Sequence, residues 1–466
     1  MLDVRASAPV PVIARVEALR RLFALAERML MVTLLSVTSG AYLPLLGNTP
    51  GPDTAPEASP LTHVFLLPLY ALLGCIIATH PRGFSRVARR AGPALALVGL
   101  ACISAVWSID PALSLRRGIS LLAPTAVGIV ITLRFGTREC LRLLAIALGV
   151  AAIVSIIVAL LLPTKGTMYE GMWNGVFDNK NSFGRAMALQ VAVMALIALD
   201  AKRHRVLAWL AVAGTMALVL LSGSIGSLMA AAAVLILIPL FRSLRLRLTT
   251  AVAVCTISVL LGAIVLTVFL SNAEEAFALL GRDPTLTGRT DIWAAALVSI
   301  AERPWLGYGH NAFWQGWAGP SVSLINAIGW ESPNSHNGLL DLWLELGLVG
   351  VCTFLLGLGI AARRAIRSVR NTVTAAGLWP LVFLSYLVVM NFSTSTIMLQ
   401  HSLYWVLYVA VMSSVTALRS PGSLTAESES GPDGLREDPW SSRMPLGSGH
   451  VSPGVRRQYP GAHRRQ

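Results

Sequence analysis

The chain has 466 residues, of which 55% are hydrophobic and only 13% charged, with a formal net charge of +14. Soluble domains carry about 25% charged residues, so a water-facing globule around a single core is excluded. The apolar residues come in unbroken blocks of bilayer-crossing length, about 20 residues each. In hydrocarbon every backbone N–H and C=O must be paired within its own segment, so these blocks are expected to be helices.

In chain order, a basic head (1–28) precedes an expected membrane bundle of nine spans (29–270). These spans lie near 29–47, 61–79, 91–107, 118–133, 141–162, 182–199, 206–222, 226–241 and 249–270, with a small-residue hinge at 222–226. A long loop, 271–337, follows, and three further spans complete the bundle (338–417), near 338–360, 377–391 and 396–417. The tail, 418–466, is rich in Ser, Pro, Gly and Arg and is expected to be disordered. The fold class is therefore an all-α polytopic membrane protein of twelve transmembrane helices, with a large helical loop between spans nine and ten. The head is long for a signal peptide and the first apolar block is followed by many more, so no cleavable signal is expected.

Lys and Arg in short loops set orientation. Alternate connections are arginine-rich, as at Arg82, Arg86, Arg89 and Arg90, or at Arg363, Arg364, Arg367 and Arg370, and the intervening ones are sparse. This pattern places both termini in the cytoplasm and the 271–337 loop in the periplasm of a bacterial inner membrane. The positive charge is then largely a topology signal and calls for membrane lipid, not nucleic acid, as its partner. Five cysteines occur without a C-x-x-C pair, so neither a metal site nor a disulfide framework is expected.

The long loop is not low-complexity. From Gly288 it reads as a helix that Thr287 or Thr290 could cap, with Asp291 in its first turn and Pro304 ending it. Its tryptophans, among them Trp293, Trp305, Trp314, Trp317 and Trp330, offer stacking surface. The run "GRTDIWAAALVSIAERPWLGYGHNAFW" from Gly288, with "SPNSHNGLLDLWLELGLVGV" from Ser332, resembles the O-antigen ligase and polymerase superfamily (Wzy_C, WaaL-like). "WSIDPALSLRRGI" from Trp107 and "GVFDNKNSFGRAMAL" from Gly175 look like its ExoQ-type exopolysaccharide-polymerase branch. The resemblance runs from about Trp107 to about Trp405 and implies metal-independent glycosyl transfer, without a cofactor, on the outer face of the membrane. The implied donor is an undecaprenyl-diphosphate-linked glycan. The implied acceptor is a sugar hydroxyl, on lipid A-core or on a lipid-linked repeat.

His336 stands where the loop re-enters the membrane, and an imidazole that titrates near neutrality can take a proton from a hydroxyl. The resemblance implies that role for it; the plain alternative is a ring that anchors a helix start at the interface. Arg289 opens the loop helix, where a guanidinium and a helix N-terminus together suit a diphosphate. The resemblance implies the same, against the ordinary alternative of a solvated surface arginine. Arg116, Arg117, Lys180 and Arg185 are further cations on the side the topology leaves sparse, and are expected either to bind substrate or to snorkel at the interface. Lys180 matches the Lys of the family's Phe-x-x-Lys-Asn pattern. Asn337 joins His336 in the motif as a substrate contact. Asp341 and Glu345, spaced i, i+4, share a helix face, and either orient His336, bind a sugar hydroxyl, or mark a wet helix end. Gly307 and Gly309 read as tight-turn glycines, not as a nucleotide loop.

Two departures from the family pattern stand out. Ile225 occupies a place where relatives carry Arg or Lys, and Thr394 one where ExoQ-type proteins often carry Glu. Two rival functions remain: a transporter or flippase for lipid-linked glycans, which calls for ionisable residues at mid-span and repeated halves, and a non-catalytic member of a polysaccharide-export complex, which the missing cation at Ile225 would fit.

Overall fold

The computed structural model describes residues 10–42, 60–168, 171–246 and 288–414, with a few isolated positions besides. The ninth expected span, 249–270, lies almost wholly outside the described residues, as do 271–287 and the tail 418–466. Helix α1 spans Val10–Thr38, α2 Pro60–Thr79, α3 Pro81–Ala88 and α4 Gly92–Ile103. They are followed by α5 (Pro111–Ser120), α6 (Leu122–Arg134), α7 (Thr137–Leu161) and a single turn, α8 (Pro163–Gly166). Next come α9 (Lys180–Asp200), α10 (Arg205–Leu221) and α11 (Ile225–Ser243). The loop contributes α12 (Arg289–Glu302) and α13 (Ser321–Ile328). The chain then returns through α14 (Gly338–Asn371), α15 (Trp379–Asn391) and α16 (Leu403–Ser413).

Among the described residues there is no named strand, and six helices are long and apolar enough to cross a membrane: 81–106, 111–134, 137–161, 180–200, 225–243 and 338–371. Shorter apolar helices cover 64–79, 205–221, 375–391 and 403–413. This is an all-α, multi-pass membrane protein. The expected count of twelve spans is not reproduced in detail. The first, 29–47, is helical only to Thr38, because Gly40 at φ +87° and then Pro44 stop it. The last, 396–417, is helical only over Leu403–Ser413. Ahead of it, Asn391 and Ser402 side chains capture the backbone N–H groups of Thr396 and Tyr404, a local alternative to helix that hydropathy does not register.

α9 sits at the centre, packed against α7, α10, α11 and α15. Its one mid-helix amide, Gln190, donates to the Ala145 carbonyl at 3.1 Å. α16 packs on α6, where Gly128 lets the Val406 carbonyl approach and the Trp405 indole donates to Thr125 Oγ1 at 2.9 Å. The charged end of the bundle is stitched by Arg28 to Glu139 (2.9 Å) and Arg134 to Glu27 (2.8 Å). α6 runs from that end toward α5, so α5 and its arginines stand at the opposite end.

At that opposite end α14 is broken. Gly347 has φ +64°, ψ −167°, which is non-helical, so residues 338–346 form a short segment of their own ahead of the long one. A break orphans the carbonyls before it and the N–H groups after it. The stretch 304–309 takes up both sets. Tyr308 and Gly309 donate their N–H to the carbonyls of Leu344 (2.8 Å) and Glu345 (3.0 Å), while Leu348 and Val349 donate to the carbonyls of Pro304 (2.8 Å) and Trp305 (3.3 Å). Gly307 and Gly309, at φ +68° and +100°, are the tight-turn residues expected from the sequence.

A Cβ at residue 347 would collide with the Trp305 backbone, and its φ/ψ is open to glycine alone. Gly347→Ala should therefore cost about 3 kcal/mol or more, read as a large fall in the thermal midpoint of the detergent-solubilised protein. Gly359→Ala, on the same helix with nothing near its Cβ, should be neutral or slightly stabilising. Equal midpoints for the two variants would show that the break does not constrain the fold.

Candidate functional site

The loop unit has its own small core of Ala296, Ile300, Tyr308, Phe313, Leu324 and Leu344. α12 begins at Arg289 as expected, with Asp291 in the first turn. The expected threonine cap is replaced. Gly288, in the left-handed conformation, takes the N-cap position with no side-chain cap, and Thr287 lies outside the described residues. Trp293, one turn along, donates its indole N–H to the Ser335 carbonyl at 2.9 Å, which lays the start of α12 beside the segment carrying His336.

That segment is held by a dense local network. His336 N–H donates to Asn334 Oδ1 (2.9 Å), and Ser335 N–H to Asp341 Oδ1 (3.0 Å). Asn337 Oδ1 accepts from Leu339 N–H and Leu340 N–H, so Asn337 serves as the N-cap of α14 and its carbonyl oxygen is not free for substrate. His336 itself is forced to φ +53°, a conformation that non-glycine residues adopt only where the surroundings over-determine it. Burial, and then the Arg289 guanidinium, push the imidazole down from 6.5 to about 4. The near-neutral ring expected from the sequence is thus replaced by one kept uncharged across the physiological range. Burial also lowers Arg289, without removing its charge. Among the described residues, no side-chain hydrogen bond is made by either Arg289 or the His336 ring.

Asp341 is buried and accepts from three segments at once: Ser335 N–H, the Trp314 indole (3.0 Å) and, in a short contact, the Ser395 hydroxyl. Its carboxylate is consumed in orienting the backbone next to His336. Glu345 does not share that task; its Oε2 lies 2.7 Å from Nδ1 of His310, which is buried. His310 N–H also donates to Ser104 Oγ, and its carbonyl accepts from Ser114. Trp107 donates to the Leu306 carbonyl at 2.9 Å and Ile109 N–H to that of Tyr308 at 3.1 Å. The two family-like motifs, the one from Trp107 and the one from Gly288, are therefore docked on one another at residues 306–310.

The other cations come from other helices. Arg117 on α5 donates to Gln400 Oε1, and Arg116 beside it is exposed. Arg185 on α9 lies over the Tyr404 ring, 5.3 Å from its centroid. Lys180 opens α9, its Nζ 2.7 Å from the Met172 sulfur. The segment 392–402 links the two groups, through Ser395 to Asp341 and through Gln400 to Arg117. The hinge before Ile225 packs through Ser222 and Ser224 on Gly184, the neighbour of Arg185, and Ser227 in the first turn of α11 joins them.

Residues 206–355 match the O-Antigen ligase family model. The resemblance read from the motifs is thus real. The chain is also similar to the Exopolysaccharide production protein ExoQ of Rhizobium meliloti (strain 1021), 26% identical over 266 residues that make up 54% of this chain and 60% of that protein. The chain thus matches less than two thirds of that relative's length. The family match covers Arg289, His310, His336, Asp341 and Glu345, but not Arg117, Lys180 or Arg185. His310, Ser395 and Gln400 are the site-building residues that the sequence reading passed over, and Trp314, expected as stacking surface, instead donates to Asp341. The only signal for His310 was a histidine set directly behind two turn glycines.

A lowered pKa makes a signed prediction. The unfolded chain takes up the His336 proton before the folded one does, so the stability carried by the neutral ring is whole above about pH 6.5 and is lost as pH falls toward 4. In histidine-labelled protein the His336 resonance should titrate near 4. Arg289→Gln should move it up only part of the way to 6.5, since burial is the larger cause. Titration of the wild-type ring near 6.5 would mean that His336 is solvated and not held as described.

Proposed function

We propose that the chain is a glycosyltransferase of the O-antigen ligase or exopolysaccharide polymerase type, acting at the outer face of a bacterial inner membrane. The observation that carries this reading is the pairing of a half-buried guanidinium with an uncharged, conformationally forced imidazole at the place where the loop meets the spans. The donor is a glycan on undecaprenyl diphosphate, and the acceptor is a sugar hydroxyl of lipid A-core or of another lipid-linked repeat. An imidazole nitrogen of His336 takes the hydroxyl proton as the acceptor oxygen bonds to the anomeric carbon. The bond from that carbon to the diphosphate breaks, and the departing charge is met by the fork of Arg289. A bound diphosphate would offset the charge of Arg289 and so remove the second cause of the low His336 pKa, making the ring a stronger base when substrate is present. Arg185, beside the hinge where Ile225 stands in place of a cation, is the candidate for a second contact with the carrier's phosphates.

With purified lipid-linked glycan and the reconstituted protein, His336→Gln should lose about 10²–10⁴-fold in transfer rate. Arg289→Lys, which keeps the charge but loses the fork, should also be markedly impaired, and EDTA should leave the wild type active. Full activity of His336→Gln would sink the general-base role, and abolition by EDTA would sink the metal-free mechanism.

The same reading puts both termini in the cytoplasm. Asn326 on α13 is exposed. In a cysteine-free background, Asn326→Cys should react with an impermeant maleimide in intact spheroplasts. Labelling only after lysis would reverse the orientation.

A further inference from the structure

Three indoles of the loop unit remain uncovered: Trp305 at 67% exposed, Trp317 at 63% and Trp330 at 42%. Trp305 has its place explained. Its backbone abuts Gly347, where the long span of α14 begins, which is the interfacial position where tryptophan suits a membrane boundary. Trp317 and Trp330 lie elsewhere. The edge of the Trp330 indole is 3.7 Å from where a side chain at Gly288 would begin, and the next residue is Arg289. The Glu331 carboxylate lies against Gly316, and the next residue is Trp317. These contacts bring the 330–331 pair against both the start of α12, next to Arg289, and the turn at Gly316, next to Trp317. Among the described residues, Glu331 makes no hydrogen bond or ion pair.

A lipid surface is a poor match for this strip, since anionic headgroups repel a carboxylate that accompanies the exposed indoles. A pyranose is a good one. Its apolar C–H face stacks on an indole, and its hydroxyls donate to a carboxylate that has no other partner. We propose that Trp330, Glu331 and Trp317 form a pyranose-binding strip that runs away from Arg289 and holds a sugar ring of the glycan substrate. The assignment rests on the glycan-transfer reading above for its ligand class, but not on His336 as base. The ring belongs either to the donor, next to its diphosphate, or to the acceptor.

The probe is the free oligosaccharide released by mild acid from the host's lipid-linked glycans, which carries neither lipid nor phosphate. Binding to the purified full-length protein is followed by saturation-transfer NMR. Wild type should bind saturably. Trp330→Ala and Trp317→Ala should each weaken binding about tenfold or more, Glu331→Gln severalfold, and Trp330→Phe should fall between. If an alanine variant fails to accumulate, Trp330→Phe and Glu331→Gln decide the matter. No saturable binding by wild type, or affinities unchanged across the strip variants, overturns the proposal. In transfer assays, a raised KM for the donor or for the acceptor identifies which ring is held. Weakened binding by the strip variants together with full transfer by His336→Gln would keep the strip and discard the base.

Discussion

The backbone hydrogen bonds across the break at Gly347 are the constraint from which the rest of this end of the molecule follows. Four unpaired main-chain groups close to a bilayer would each cost several kcal/mol, so a break in a span survives only if something answers them all. Residues 304–309 do so on both sides at once. That obligation fixes the path of the loop to within a hydrogen bond. It thereby decides where His310 enters the interior, where Trp107 and Ile109 dock, and how the short segment 338–346 is aimed.

Asp341 builds on that frame. A buried carboxylate is tolerated only with several donors, and this one has three, drawn from the loop core, from the turn before α14 and from the segment after α15. It joins two regions of the chain that carry separate cations. Removing it would strand a backbone N–H, an indole and a hydroxyl together, so its effect on His336 is inseparable from its effect on the local fold. Glu345, one turn further, has the parallel role for the opposite wall of the loop through His310. The i, i+4 pair seen in the sequence is thus two clamps with different partners, Asp341 on the turn before α14 and Glu345 on His310.

The helical segments were legible because membrane helices are written in hydropathy, and α12 because its first turn and terminating proline are local signals. The turn glycines 307 and 309 were legible for the same reason. The break in α14 was not, because a single glycine inside an apolar run costs little in a helix pattern, and its reason lies some forty positions upstream. The non-helical stretch 392–402 was hidden in the same way, since Asn and Ser side chains such as Asn391 and Ser402 compete with helix only when the tertiary setting lets them. The candidate site was legible in its motif residues and not in its geometry. Motif resemblance pointed to Arg289, His336 and Asn337; that Arg289 lies near the His336 ring and that Asn337 caps α14 are tertiary facts. The lowered His336 pKa depends on burial that no sequence pattern displays.

The break also sets how much of α14 can face lipid tails. From Leu348 to Ala362, ahead of Arg363 and Arg364, the apolar run is about 22 Å long at about 1.5 Å per residue, against a hydrocarbon core of about 30 Å. A run that short is met by local thinning of the bilayer, by snorkelling of flanking side chains or by self-association, each at modest cost. Local thinning would bring the stretch 304–309, which is hydrogen-bonded to the break, level with the edge of the hydrocarbon.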